Sequence, residues 1–180
     1  MSKRVLCLLA PGFEEIETVT PIDLLRRSGA VVVVASLTDE LMVKGRSNLS
    51  LRAEVRLDDI IDEDFDLLLI PGGPGVQGLR EDGRAATLAG TFHARGKYVA
   101  AICAAPTVLK DAGLLTGKKF TAHFSVHEKL GLVTDAERVV QDGNIITSRG
   151  AGTSVDFGLA LVRALFGDME AEKIASAIMA

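Results

Sequence analysis

The stretch Tyr98-Val99-Ala100-Ala101-Ile102-Cys103-Ala104-Ala105-Pro106 sets an apolar run directly against the start of a helical pattern. An apolar run without alternation suits a strand buried on both faces of a parallel sheet. Three further runs, Val5 to Ala10, Val31 to Ala35 and Leu67 to Ile70, repeat the signal. Apolar residues recur at helical spacing in Glu14 to Ser28, Gly83 to Arg95, Pro106 to Ala112 and Ser154 to Phe166. Strands alternating with helices predict an α/β sandwich on a mostly parallel sheet.

The remaining segments punctuate this pattern. Gly29, Gly113 and Gly167 stand where helices should stop, which absorbs part of a glycine total of 18 in 180 residues. Pro21 is expected to kink or divide the first helix. Asp39 to Arg56 reads as an edge hairpin or excursion, and Val139 to Ile146, with Asp142-Gly143 at its centre, as a second hairpin. Lys118 to Ala122 is expected to add a fifth strand, and Met169 to Ala180 a short terminal helix.

Composition bounds the function. With 48% hydrophobic and 24% charged residues the chain is neither disordered nor collagen-like, and its length suits a single domain spanning residues 1–180. A net charge of −4 provides no basic footprint for nucleic acid or an anionic membrane. No apolar stretch approaches the roughly 20 residues that span a bilayer, so a soluble protein is expected. The short run after Ser2-Lys3-Arg4 is read as a first strand rather than a signal peptide. Two cysteines in strand-like runs suit reduced thiols in the cytoplasm better than a disulfide scaffold.

In parallel α/β sheets ligands gather at the carboxyl ends of strands. Cys103 lies at such an end, with alanines two positions before and after it, the spacing of a nucleophile elbow. A thiol at a helix N-terminus is favoured as thiolate; the competing reading is a small buried hydrophobe, which is how mid-strand Cys7 is read. Glu14, Glu15 and Glu17 open the first helix, where capping is the ordinary role of acidic residues. One of them in a thiol pocket would be driven towards its protonated form, and periodicity does not choose among the three. Gly73-Pro74-Gly75-Val76-Gln77-Gly78 is a literal G-x-G-x-x-G, but it follows the third strand, Pro74 lacks a donor, and Glu14 and Glu15 occupy the usual phosphate turn. The glycine amides serve better in an oxyanion hole than in a cofactor site. His123 follows the expected fifth strand and can be brought near Cys103 as a cysteine-histidine pair, whereas His93 and His127 lie on polar helical faces. No spacing suits a metal, and no metal or cofactor is expected.

Ala10-Pro11-Gly12-Phe13-Glu14-Glu15-Ile16-Glu17-Thr18, Leu24-Leu25-Arg26-Arg27-Ser28-Gly29, Pro71-Gly72-Gly73, Ala100 to Pro106, and Thr147-Ser148-Arg149-Gly150-Ala151-Gly152-Thr153-Ser154 together resemble the ThiJ/PfpI superfamily. The likeness is greatest to the branch of the Parkinsonism-associated deglycase and YajL. It implies a flavodoxin-like three-layer sandwich, class I glutamine amidotransferase-like, in a homodimer, with Cys103 as reactive cysteine and Glu17 as its partner. It places His123 near the thiol, and the amides of Gly72, Gly73 and Ala104 opposite the substrate oxygen. Arg26 or Arg27 is assigned to the dimer or an anion site. Ala151 departs from the proline usual in its run, and Val43 to Leu51 aligns too poorly to assign a pocket arginine to Arg46.

The activity so implied is a cofactor-independent glyoxalase or deglycase of lyase or hydrolase type, acting on methylglyoxal-like dicarbonyls or their adducts through a hemithioacetal. The principal alternative is an oxidative-stress sensor or holdase chaperone using oxidation of Cys103. Isocyanide hydration, peptidase action and nucleotide-dependent oxidoreduction rank lower.

Overall fold

Each continuous apolar run becomes a central strand in the computed structural model, which describes residues 2–131 and 137–180. The strands are β1 (Arg4–Leu9), β2 (Val31–Ser36), β3 (Met42–Lys44), β4 (Ser50–Arg52), β5 (Val55–Arg56), β6 (Leu67–Ile70), β7 (Tyr98–Ile102), β8 (Val139–Asp142) and β9 (Ile145–Ser148). Seven form one sheet in the order β5-β2-β1-β6-β7-β9-β8, and β3 pairs with β4 in a separate ribbon. Every pairing in the large sheet is parallel except β8 with β9, the hairpin expected at Asp142-Gly143.

Residue parity divides the core into two layers. Leu6, Leu8, Leu68, Ile70, Val99 and Ala101 pack on one face with Leu79, Leu88, Phe92, Val108 and Leu109. These belong to α2 (Val76–Asp82), α3 (Arg84–Ala94) and α4 (Pro106–Asp111). Val5, Cys7, Leu9, Leu67, Leu69, Ala100 and Ile102 face the opposite way, towards Ile22, Leu25, Phe157, Leu161 and Ile174. Those side chains come from α1 (Glu15–Arg27), α6 (Ser154–Phe166) and α7 (Asp168–Ala177), while the short α5 (His127–Leu130) lies near the strand ends. Strands apolar on both faces need helices on both sides, and the result is a flavodoxin-like three-layer α/β sandwich. Gly29, Gly113 and Gly167 all take positive φ at helix ends.

Two expectations are corrected. Pro21 does not divide the first helix, and α1 runs unbroken from Glu15 to Arg27. The loss of one backbone donor is outweighed by packing on α6, where a Cβ at Gly158 would lie 3.2 Å from Pro21 Cα and 2.6 Å from Leu24 Cδ1. Lys118 to Ala122 is not a strand, because β9 already has β7 and β8 on its two edges. The segment is instead held by side chains, with Lys119 N–H donating to Asp142 Oδ2 at 3.0 Å and Thr121 N–H to Thr147 Oγ1 at 2.9 Å. Among the described residues no helix is long and apolar enough to cross a membrane.

Candidate active site

Cys103 occupies the turn between β7 and α4 with φ of 64°. Side-chain-bearing residues rarely adopt this left-handed backbone, which costs on the order of 1–3 kcal/mol unless its surroundings over-determine it. They do so here: Cys103 N–H donates to Ser148 O at 2.9 Å, and Cys103 O accepts from His123 N–H at 2.9 Å. The turn is thereby clamped between β9 and the segment that leads to α5. Both thiols are free; Cys7 is fully buried, whereas Cys103 is only partly covered.

The three glutamates separate by role. Glu14 is the N-cap of α1, its Oε2 accepting from Glu17 N–H at 2.8 Å. Glu15 turns towards the β3–β4 ribbon, where its Oε1 accepts from Ser47 N–H at 2.8 Å. Glu17, 1% exposed, points at the thiol. The N–H groups of Gly72 and Ala151 also face its carboxyl, while Oε2 is buried and accepts no hydrogen bond. An oxygen so placed suits a carboxylic acid that donates its proton.

Burial pushes the Glu17 carboxyl up to about 7, and the charge of Glu14 adds to the push. Burial, and then the charge of Glu17, push the Cys103 thiol up to about 12, against a downward pull from the amides of Gly73 and Ala104. The helix terminus alone thus does not set the ionisation of the thiol; the charge state of Glu17 enters with it. While Glu17 is charged, the thiol keeps its proton, and a thiolate goes with a protonated Glu17.

Gly72 is the residue that lets the pair meet. A Cβ on it would lie 2.2 Å from Glu17 Oε2 and 2.6 Å from Cys103 Cβ. Gly72→Ala is expected to displace Glu17 and to destabilise the fold by about 1–3 kcal/mol, read by urea denaturation. An unchanged midpoint would contradict this packing. The amide of Gly72 serves Glu17, and those of Gly73 and Ala104 face the sulfur. In the G-x-G-x-x-G loop the amides of Gly75, Val76 and Gln77 are committed to Gly12 O at 3.0 Å, Gly73 O at 3.2 Å and Pro74 O at 3.2 Å.

Cys103 and Glu17 open into a cavity of about 400 Å³ that is also lined by Gly73, Ala104, His123 and Arg46. His123 thus reaches the site but forms no pair with the thiol; its Nδ1 lies 2.8 Å from Ser125 Oγ and its ring packs on Phe124 at 4.1 Å. Burial, and then the charge of His127, hold the His123 imidazole below its ordinary value, so it is neutral at pH 7. Arg46 is the residue that sequence reasoning left unplaced. Its N–H donates to Phe13 O at 2.9 Å, which hangs the ribbon over the turn after β1; no local pattern announces such docking. Arg26 and Arg27 are engaged elsewhere, with Glu54 and Asp23. Among the described residues no three His, Cys, Asp or Glu side chains are grouped to hold a metal.

A cysteine in left-handed backbone at a strand-to-helix turn, paired with a buried carboxyl at the carboxyl edge of a parallel sheet, defines a cysteine-elbow α/β protein. Residues 3–164 match the DJ-1/PfpI family, and the chain belongs to it. It is 36% identical over 183 residues to Protein dj-1beta of Drosophila melanogaster, covering 99% of this chain and 98% of the relative. The crystal structure of that Drosophila protein superposes with a TM-score of 0.95 over 99% of this chain and 98% of its own. Parkinson disease protein 7 homolog of Danio rerio is 38% identical over 172 residues, covering 92% of this chain and 90% of the relative. Isonitrile hydratase of Pseudomonas putida is 32% identical over 170 residues, covering 93% and 74%, so the family contains enzymes as well.

Proposed function

We propose that this chain, acting as one domain over residues 1–180, is a cofactor-independent glyoxalase or deglycase for methylglyoxal-type dicarbonyls and their adducts. The observation that carries the reading is the Cys103–Glu17 pair, held together across Gly72 in a small cavity. Cys103 Sγ adds to the aldehyde carbon while the Glu17 proton passes to the aldehyde oxygen, forming a hemithioacetal. The amides of Gly73 and Ala104 stabilise the sulfur and the developing oxyanion. Glu17, now a carboxylate, removes the proton from the former aldehyde carbon and returns it to the neighbouring carbon through an enediol, while the hydroxyl proton shifts from the first oxygen to the second, which leaves a thioester. The two electrons move within the substrate, so no external redox agent is needed. Water then cleaves the resulting thioester, with His123 at the cavity wall available to bind it, and releases lactate and the free thiol.

The test is lactate formation from methylglyoxal by the protein in buffer free of added thiol, metal and nucleotide. Lactate in proportion to enzyme supports the reading; methylglyoxal that persists unchanged overturns it.

A partly covered thiol beside an acid also favours a second reading, oxidation of Cys103 to a sulfinic acid stabilised by Glu17 in a stress sensor or chaperone. A reactive thiol of either kind suits a reducing cytoplasm. Ile16 and Val19 on α1 are 53% and 46% exposed, and Met42 of β3 and Leu49 of the β3–β4 loop, to which Glu15 is bonded through Ser47, are 58% and 62% exposed. That apolar surface supports a homodimer.

A further inference from the structure

A second cavity, about 640 Å³, adjoins the Cys103 cavity and shares His123 and Ala151 with it. Its described lining includes Arg138, Arg149 and His127 besides His123, and no carboxylate. The permanent charges of this lining are the two arginines, since His123 is neutral at pH 7. The two guanidiniums are not equivalent. Arg138 is held by Asp156 Oδ2 at 2.8 Å and Gly152 O at 2.6 Å, which leaves it little capacity for a ligand. Arg149 is exposed, and among the described residues it makes no ion pair or hydrogen bond, so its planar donor fork is unused. Phe124, 77% exposed, adds a flat apolar surface to the same lining.

The Arg149 guanidinium without a counterpart among the described residues, an exposed aromatic ring in the same lining and two residues shared with the Cys103 cavity fit one kind of ligand. We propose that this cavity is a subsite for the oxyanionic end, carboxylate or phosphate, of a substrate whose carbonyl is held at Cys103, with Arg149 as the anchoring cation. The inference rests on the dicarbonyl reading above and adds to it a preference, among such carbonyl substrates, for those that carry a remote negative charge. Bidentate pairing with Arg149 supplies the preference, and Phe124 the contact for the segment between charge and carbonyl.

Initial rates on para-carboxyphenylglyoxal and the uncharged para-methylphenylglyoxal test it. Wild-type protein should prefer the carboxylate in kcat/KM. Arg149→Gln should reduce that preference about 10-fold, and Arg149→Lys should restore part of it. A second measurement needs no turnover: calorimetric binding of para-acetylbenzoate and para-methylacetophenone to Cys103→Ser protein. The carboxylate should bind more tightly, by a margin that Arg149→Gln removes, and the para-phosphonate analogue compares the two oxyanions. Equal binding of charged and neutral ketones, or a margin that survives Arg149→Gln, overturns the subsite. Arg149-dependent binding without conversion of any glyoxal upholds the subsite and overturns the glyoxalase reading instead.

Discussion

Cys103→Ser should lower kcat/KM for methylglyoxal by at least about a thousandfold while leaving the fold intact. A hydroxyl is a far weaker acid than a thiol, and Glu17, pushed up to about 7 by burial, is too weak a base to generate an alkoxide from it. The backbone of position 103 is held from outside, through Ser148 O and His123 N–H, so serine inherits the same turn. Thermal melting checks that the loss is chemical. A variant that melts like the parent and still converts methylglyoxal at the parent rate would sink the covalent mechanism. Loss of activity together with loss of the folded transition would leave the mechanism to be tested with Cys103→Ala.

Glu17→Gln should reduce kcat by a factor of about 100 or more, the range expected when a positioned acid-base group is removed. The same change should alter stability with the opposite sign. A carboxyl raised from 4.5 to about 7 on folding is tolerated while protonated, so its contribution is fully present below pH 4.5 and is lost as pH rises through about 7. The wild-type protein should therefore lose about 2–3 kcal/mol between pH 5 and pH 8 from this group, following the shift and its conversion at 1.36 kcal/mol per unit. Glutamine has no charge to bury and lacks that loss. Urea denaturation at the two pH values should show the variant gaining on the wild type as pH rises. A gap between them that does not change with pH would contradict a buried, titrating Glu17.

Much of this was legible in the chain before any coordinates. Runs such as Leu67 to Ile70 declare a doubly buried strand because they lack polar alternation, and Cys103 between small residues declares a strand-to-helix turn. Lys118 to Ala122 looked equally strand-like, yet whether such a segment joins a sheet depends on a vacant edge, and that is settled by β8, some twenty residues later. The three glutamates at the head of α1 are indistinguishable by period; only the positions of Ser47, Gly72 and Cys103 assign one to the ribbon, one to the cap and one to the thiol. Arg46 and Arg149 stayed silent for the same reason. A surface arginine acquires meaning from the wall opposite it, and those walls are built by distant segments.

The glycines around the site also decide where this fold can vary. Added Cβ atoms at Gly72, Gly73 and Gly75 would lie within 2.6 Å of the turn after β1, of Glu17 or of other site atoms, so the loops after β1 and β6 are interlocked. Across the pocket the crowding ends at Gly152, where an added Cβ would meet nothing within 4 Å, whereas Gly150 is kept by its φ of 157°. Drift in sequence is thus channelled to one side. The backbone of this wall still serves the reacting pair, through His123 N–H on Cys103 O and Ala151 N–H on Glu17, so a lineage built on this scaffold can vary the side chains at Phe124, Arg149 and Gly152 while the chemistry stays the same, and new substrate preferences should arise there.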